Sequence, residues 1–279
     1  MLLSTETNSV VKRFGQEKAF EMLKKSGFDA CDFSFYNCVA ELLSDNYMEN
    51  AKKTKALLDK TGLLCNQAHA PFELAEGEPF DMSCDNYKAV VRSIEYAAYL
   101  GAKNIVIHLI CTLNRADLYR YNSEYYKSLE TYSKQFGIKI AVENDFERRN
   151  GKVLPVLNYA EEFCEFVENL NSEWIVGCID IGHAAMFNDP AEFISKTNNS
   201  LLKALHVHDN DLREDLHLFP FSGYINWYDL CDALKKVNYT GDLTFEAIKS
   251  LDRIPNELME DTLIHLAKMG RYLINMIGA

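Results

Sequence analysis

Two periods take turns along the chain. Short stretches in which apolar and polar residues alternate, or in which Ile, Val, Leu and Ala run together, read as strands. Each is followed by a longer stretch whose apolar residues recur at helical spacing. Strands are predicted over 2–5, 29–35, 63–70, 104–109, 139–144, 176–183, 204–211 and 242–248, and helices over 16–26, 47–61, 87–100, 123–136, 158–170, 191–197, 227–237 and 257–277. Punctuation supports these boundaries: Gly27, Gly62, Gly101 and Gly137 stand just past four of the helices, Pro71 stops the third strand, and Pro190 stands at a helix start, where its missing N–H costs nothing. Eight strand-helix units with no Pro/Gly/Ser-rich linker between them predict an α/β chain folded as one (β/α)8 TIM barrel, a single domain over 1–279. A doubly wound sheet is the rival architecture, but it does not require eight regular units.

Composition narrows the partners more than the fold. A hydrophobic fraction of 48% over 279 residues suits a full core. The net charge of −12, from 41 acidic against 29 basic residues, opposes binding to a phosphate backbone, so nucleic acid is not the expected partner. No run approaches the roughly 20 apolar residues of a membrane span, and the opening MLLSTETNSVVKRF lacks an apolar signal core. A cytoplasmic chain without a membrane partner is expected. The 8 cysteines are scattered without CxxC spacing, so structural disulfides are not expected.

Chemistry gathers late in the strands, the end at which barrel enzymes carry their reactive groups. In ALHVHDND (204–211), His206 and His208 stand two apart and are expected to share one face. His69, His108, Glu143, Asp180 with His183, and Glu246 recur at the corresponding ends of other strands, and Asp215 and His217 follow eight residues beyond the His206–His208 pair. Buried carboxylates are costly unless paired or bound to a cation. Glu143, Asp180, His206 and Glu246, from neighbouring strands 5 to 8, are therefore expected to converge on one divalent metal ion, Mn²⁺, Mg²⁺, Co²⁺ or Zn²⁺, in a set without thiolate. Some of the aromatics Phe33, Phe35, Tyr36, Phe72, Phe219, Phe221 and Trp227 are expected to line a pocket. The stretch 111–126, with Tyr119, Tyr121, Tyr125 and Tyr126, reads as an extended connection, either a lid or a subunit contact.

The segments HAPF (69–72), GAKNIVIH (101–108), VEN (142–144), DIGH (180–183), HVHDND (206–211), DLHLFPFSGYINW (215–227) and FEAI (245–248) together resemble the sugar phosphate isomerase/epimerase superfamily, the xylose isomerase-like barrels that include endonuclease IV. The resemblance covers nearly the whole chain. It implies that Glu143, Asp180, His206 and Glu246 are metal ligands and that Glu143 and Glu246 also act as the acid/base pair of a sugar isomerase or epimerase, with His69, His108, His183, His208 and Arg213 towards the substrate. Two positions depart from the epimerase pattern: Arg149 replaces a glutamate, with Glu147 nearby, and Leu212 replaces an arginine, with Arg213 next. Arg148, Arg149 and Arg213 could instead meet an anionic substituent. Two alternatives stand beside this reading. His69, His108, Glu143, Asp180, His183, His206, Asp215, His217 and Glu246 follow the order of the nine zinc ligands of an apurinic endonuclease, and a second ion at His69, His108, Asp215 and His217 is left open. A non-catalytic ligand-binding barrel is the other. A small sugar is the expected partner, and self-association is left open.

Overall fold

The first strand pairs with both the second and the last, and the parallel pattern then continues around the molecule. The computed structural model describes residues 1–71, 81–146, 148–149, 152–154 and 156–278, with the backbone alone at 148, 149 and 152. The barrel strands are β1 (Leu3–Glu6), β2 (Ala30–Ser34), β3 (Leu64–His69), β4 (Asn104–Ile107), β5 (Lys139–Glu143), β6 (Ile175–Asp180), β7 (Leu202–His206) and β8 (Leu243–Phe245), and Arg148–Arg149 pairs antiparallel with Lys152–Val153 outside the barrel sheet. Neighbours run β8-β1-β2-β3-β4-β5-β6-β7. The ring closes where Val207 bridges Phe245: Val207 N donates to Thr244 O at 2.8 Å, and Glu246 N donates to Val207 O at 3.2 Å. This is the expected (β/α)8 barrel. No helix among the described residues is long and apolar enough to cross a membrane.

Most buried apolar side chains lie between the strands and the surrounding helices, while Val106, Ala141, Val176, Cys178 and Ala204 form a small separate cluster. Their spacing explains the site above them. Two residues beyond Val106, Ala141, Cys178 and Ala204 come His108, Glu143, Asp180 and His206, and the two-residue pleat sets each polar group on the same face as the small apolar residue before it. A plug of small side chains thus underlies a polar mouth.

Several expected boundaries needed correction, and the seventh and eighth strands stop at His206 and Phe245 rather than at 211 and 248. The fourth long helix is Arg115–Phe136, eight residues longer at its start than expected, so most of the stretch read as an extended connection is helix. Asn114 caps it, its side chain accepting from Asp117 N, while Tyr125 and Tyr126 are buried and the Tyr126 hydroxyl donates to Ile107 O at 2.6 Å. Polar Arg115, Asp117 and Arg120 obscured an inward face made by Leu118, Asn122 and Tyr125. The sixth strand, in turn, stops at Asp180, and Ile181–Ala185 is a helical turn with the Asp180 side chain as its cap, accepting from His183 N at 2.6 Å. Phe72 and Glu147 lie outside the described residues, as do the side chains of Arg148 and Arg149.

Candidate metal centre

Glu143, Asp180, His206 and Glu246 are buried at the C-terminal mouth of the barrel, with ligand-capable atoms all within 4.8 Å of one another. His206 Nδ1 lies 2.5 Å from Glu143 Oε1 and 3.6 Å from Glu246 Oε2. The opposite ring nitrogen is held from across the barrel: His206 Nε2 is 3.2 Å from Asp32 Oδ2, which also accepts from Gln67 Nε2 at 2.8 Å. A carboxylate that only accepts puts a hydrogen on Nε2 and turns Nδ1 towards the cluster, as outer carboxylates do for metal-binding histidines. Sequence reasoning missed Asp32. Its signal was the alternation of the second strand, which turns Asp32 inward between Cys31 and Phe33.

Glu143 also reaches a second group. His108 Nε2 is 2.9 Å from Glu143 Oε2, His69 Nε2 is 3.6 Å from the same oxygen, and the two imidazole nitrogens are 3.1 Å apart. His69 Nδ1 is fixed on Ala70 O at 2.8 Å, leaving its Nε2 for the cluster. One oxygen of Glu143 thus faces each group. Tyr36 packs edge-on against His69, and its hydroxyl donates to Glu246 Oε1. Phe33, Phe35 and Trp227 are instead buried in the core.

The third group is His183, His208, Asp215 and His217. His217 Nε2 is 2.8 Å from Asp215 Oδ2, and its Nδ1 lies 2.7 Å from Glu246 O. His183 Nδ1 is 3.1 Å from Asn144 O. The other carboxylate oxygen, Asp215 Oδ1, is buried and accepts no hydrogen bond, with His183 Nε2 and His208 Nε2 each 3.8 Å away. Hence Asp215 and His217 gather with His183 and His208, whereas His69 and His108 gather with Glu143; the four do not meet as one group. His206 and His208 are both buried but serve different groups, His208 lying 3.0 Å from Asp180. Arg213 is exposed on the loop, where its N–H donates to Asp211.

Two further side chains hold this architecture. Asn144 clamps β6, accepting from Asp180 N at 2.7 Å and donating to Asp180 O at 3.0 Å. The buried Asp209 carboxylate accepts from Gly223 N, Ile225 N and Trp227 Nε1 at 3.0, 3.2 and 2.9 Å, anchoring the loop that carries Asp215 and His217. Only the tertiary structure gives either residue this role.

Charge in the mouth is balanced between carboxylates and imidazoles. Burial alone would raise the Glu143 carboxyl, but His206 and His108 hold it well below the usual range. Asp180 is likewise brought to about 2, with His183 and His208 overcoming burial. Burial opposes protonation of His183, yet Asp180 and Asp215 raise it to about 10; Asp145 and Glu143 raise His108 to about 9 in the same way. Carboxylates thus favour the charged form of these imidazoles, and a divalent cation bound among them would compete with those protons. The donors fit such an ion: they are oxygen and imidazole nitrogen, five of the rings have one nitrogen at a carbonyl or at Asp32, and two buried ligand oxygens, Glu143 Oε2 and Asp215 Oδ1, have no hydrogen-bond donor. Cys178 also lies within reach of Glu143 and His206, but burial raises its thiol far above the range in which it would ionise.

Comparisons with known proteins agree with the fold. An uncharacterized protein of Sinorhizobium fredii is 23% identical over 260 residues, covering 83% of this chain and 81% of its own. Among solved structures, a D-tagatose 3-epimerase-like protein superimposes with a TM-score of 0.76 at 22% identity, over 100% of this chain and 98% of the other. The IOLI protein with a binding zinc atom does so with a TM-score of 0.75 at 16% identity, again over 100% and 98%. At these identities the superpositions speak for the fold. The family described as xylose isomerase-like TIM barrel matches residues 20–269, and with its barrel closed and its polar groups gathered at one mouth, the chain belongs to that family.

Proposed function

We propose that this protein is a divalent-metal-dependent isomerase or epimerase of a small sugar or sugar-like ketone. The observation that carries the reading is the pair Glu143 and Glu246, which approach the same His206 ring from β5 and from the end of β8, at 2.5 and 3.6 Å. Glu143, Asp180, His206 and Glu246 would hold the metal, whose Lewis acidity polarises a substrate carbonyl and acidifies the adjacent C–H. One carboxylate then takes the proton from that carbon and the other returns it; delivery to the opposite face gives epimerisation and to the neighbouring carbon gives isomerisation. Tyr36, donating to Glu246, holds that carboxylate in place. His69 and His108 stand beside Glu143 where substrate hydroxyls would enter. Likeness to a D-tagatose 3-epimerase-like protein supports a sugar substrate.

Phosphodiester hydrolysis is a second reading, favoured by one observation: three ligand groups adjoin, two of them sharing Glu143. One experiment separates the two. The metal-loaded protein is incubated in D2O with a ketose panel including D-tagatose and D-fructose, and in parallel with an abasic DNA duplex. Deuterium incorporation at a carbon next to the carbonyl, lost in Glu246→Gln by at least about 100-fold, is expected. Turnover that survives in Glu246→Gln, or duplex cleavage without sugar exchange, would overturn the proposal.

A further inference from the structure

We infer that the end of the barrel opposite the metal centre carries a second binding site, for a small phosphomonoester whose carbon chain bears a hydroxyl. The inference is independent of the sugar reaction and uses none of the metal ligands proposed above.

The site is built from the starts of the strands. Lys139 opens β5, Lys203 is the second residue of β7, and Lys103 and Asp242 directly precede β4 and β8. With Asn66 of β3 they surround a cavity of about 230 Å³. Side chains at this end of a (β/α)8 barrel ordinarily serve stability. Lysines gathered around one cavity work against it, because like charges repel and partial burial strengthens the repulsion. Lys203 shows the cost: burial and the nearby Lys139 both lower its pKa.

The neutralising group is already engaged. Asp242 Oδ1 accepts from Leu2 N at 2.8 Å, and its Oδ2 accepts from Asn66 Nδ2 at 3.0 Å and from Lys103 Nζ at 3.2 Å. Lys203 Nζ donates only to a neutral acceptor, Asn199 O, at 3.0 Å. Among the described residues lining the cavity, three are lysines and Asp242 is the sole carboxylate, which leaves two positive charges uncompensated. A phosphomonoester, with a charge of about −1.5 to −2 at neutral pH, matches that excess. Lysine ammonium groups meet phosphate as compact point charges.

Asn66 adds a second requirement. The residue is 4% exposed, and its Oδ1 has no hydrogen-bond donor. Asp242, which only accepts, fixes the other end of the amide as the NH2 group. A bare phosphate dianion has no hydrogen to give Asn66 Oδ1, whereas a hydroxyl on the ester's carbon chain does. The rim is shaped in advance. A Cβ on Gly241 would lie 2.1 Å from Tyr239 Oη and 2.8 Å from Lys203 O, so glycine lets residues 239–242 close on β7, and the Tyr239 hydroxyl donates to Asp242 O at 2.9 Å.

The test uses full-length, metal-loaded protein and sn-glycerol 3-phosphate, which has the phosphate and the hydroxyl but no carbonyl for the mouth. Limited acetylation followed by mass spectrometry reads each lysine separately. Through occupancy of the site the ester should slow acetylation of Lys139 and Lys203 at least about 5-fold, and leave exposed Lys268 unchanged. In calorimetry, Lys139→Gln and Lys203→Gln should each weaken binding of the ester at least about 10-fold, while Glu246→Gln should not change it. Inorganic phosphate should bind at least about 5-fold more weakly than the ester, a gap that closes in Asn66→Ala. Acetylation of Lys139 and Lys203 unaffected by the ester would overturn the inference. So would an affinity that falls in Glu246→Gln but holds in both lysine variants, which would put the ester on the mouth metal. Equal affinities for phosphate and ester in the parent protein would overturn the assignment of an ester and the part given to Asn66.

Discussion

Individual residues in the mouth do two kinds of work, and the sequence advertises only one. Histidines and glutamates at strand ends are conspicuous, but Asp32 and Glu6 look like ordinary polar positions in short strands. Asp32 fixes which nitrogen His206 presents, so Asp32→Ala should weaken metal binding about 10–100-fold with the far-UV circular dichroism unchanged, as measured by competition with a chromogenic chelator. Glu6, the last residue of β1, is buried, and Ser9 N donates to its Oε2 at 3.1 Å. Burial raises its carboxyl from 4.5 to about 7, with smaller contributions from Glu246 and Asp32. Because the folded state holds this proton more tightly than the unfolded chain, the resulting stability is complete below about pH 4.5 and is lost as pH rises through about 7. Glu6→Gln, which keeps the acceptor for Ser9 N without the charge, should match the parent near pH 5 and exceed it by about 1–3 kcal/mol at pH 8 in urea unfolding.

At the scale of elements, helix ends marked by glycine were legible, and so were the starts at Gln16, Tyr47 and Trp227, whereas the start of the longest helix was not. The helix Tyr47–Thr61 and its C-terminal Gly62, at φ 69°, coincide with the sequence reading because glycine enters the left-handed region without steric cost. The first eight of the 22 residues of Arg115–Phe136 were missed because its first turns bury a polar residue. Asn122 is fully buried; its side chain accepts from Ile110 N at 2.7 Å and donates to the carbonyls of Ile110 and Leu118 at 3.0 and 2.9 Å. An asparagine on the inward face breaks an apolar count while fastening the helix to the segment leaving β4. Asn122→Ala strands the Ile110 N–H and carbonyl, and should cost about 2–3 kcal/mol in urea unfolding. The same substitution at an exposed polar position of that helix, such as Glu124, should fall within about 0.5 kcal/mol of the parent.

For the whole molecule, the barrel concentrates buried charge at one mouth, so a metal bound there would act on global stability. An ion that binds only the folded state stabilises it through mass action. Chelation should therefore lower the melting temperature by about 5–10 °C, with recovery on adding Zn²⁺ or Mn²⁺, and calorimetry with and without chelator checks it. The eight alternating units, and the strands that lead into Glu143, Asp180, His206 and Glu246, could be read from the sequence because both depend on local periods. Pleat and helix spacing fix which residues share a face before any long-range contact exists. How the donors divide could not be read that way. Only closure of β7 onto β8 and the folding back of the 209–226 loop separate Asp215 and His217 from His69 and His108 and place them with His183 and His208. The same closure brings Asp32 across the barrel to His206. These partners are 28 to 174 residues apart for His208 with Asp180 and His206 with Asp32, and no local period encodes a contact across that distance.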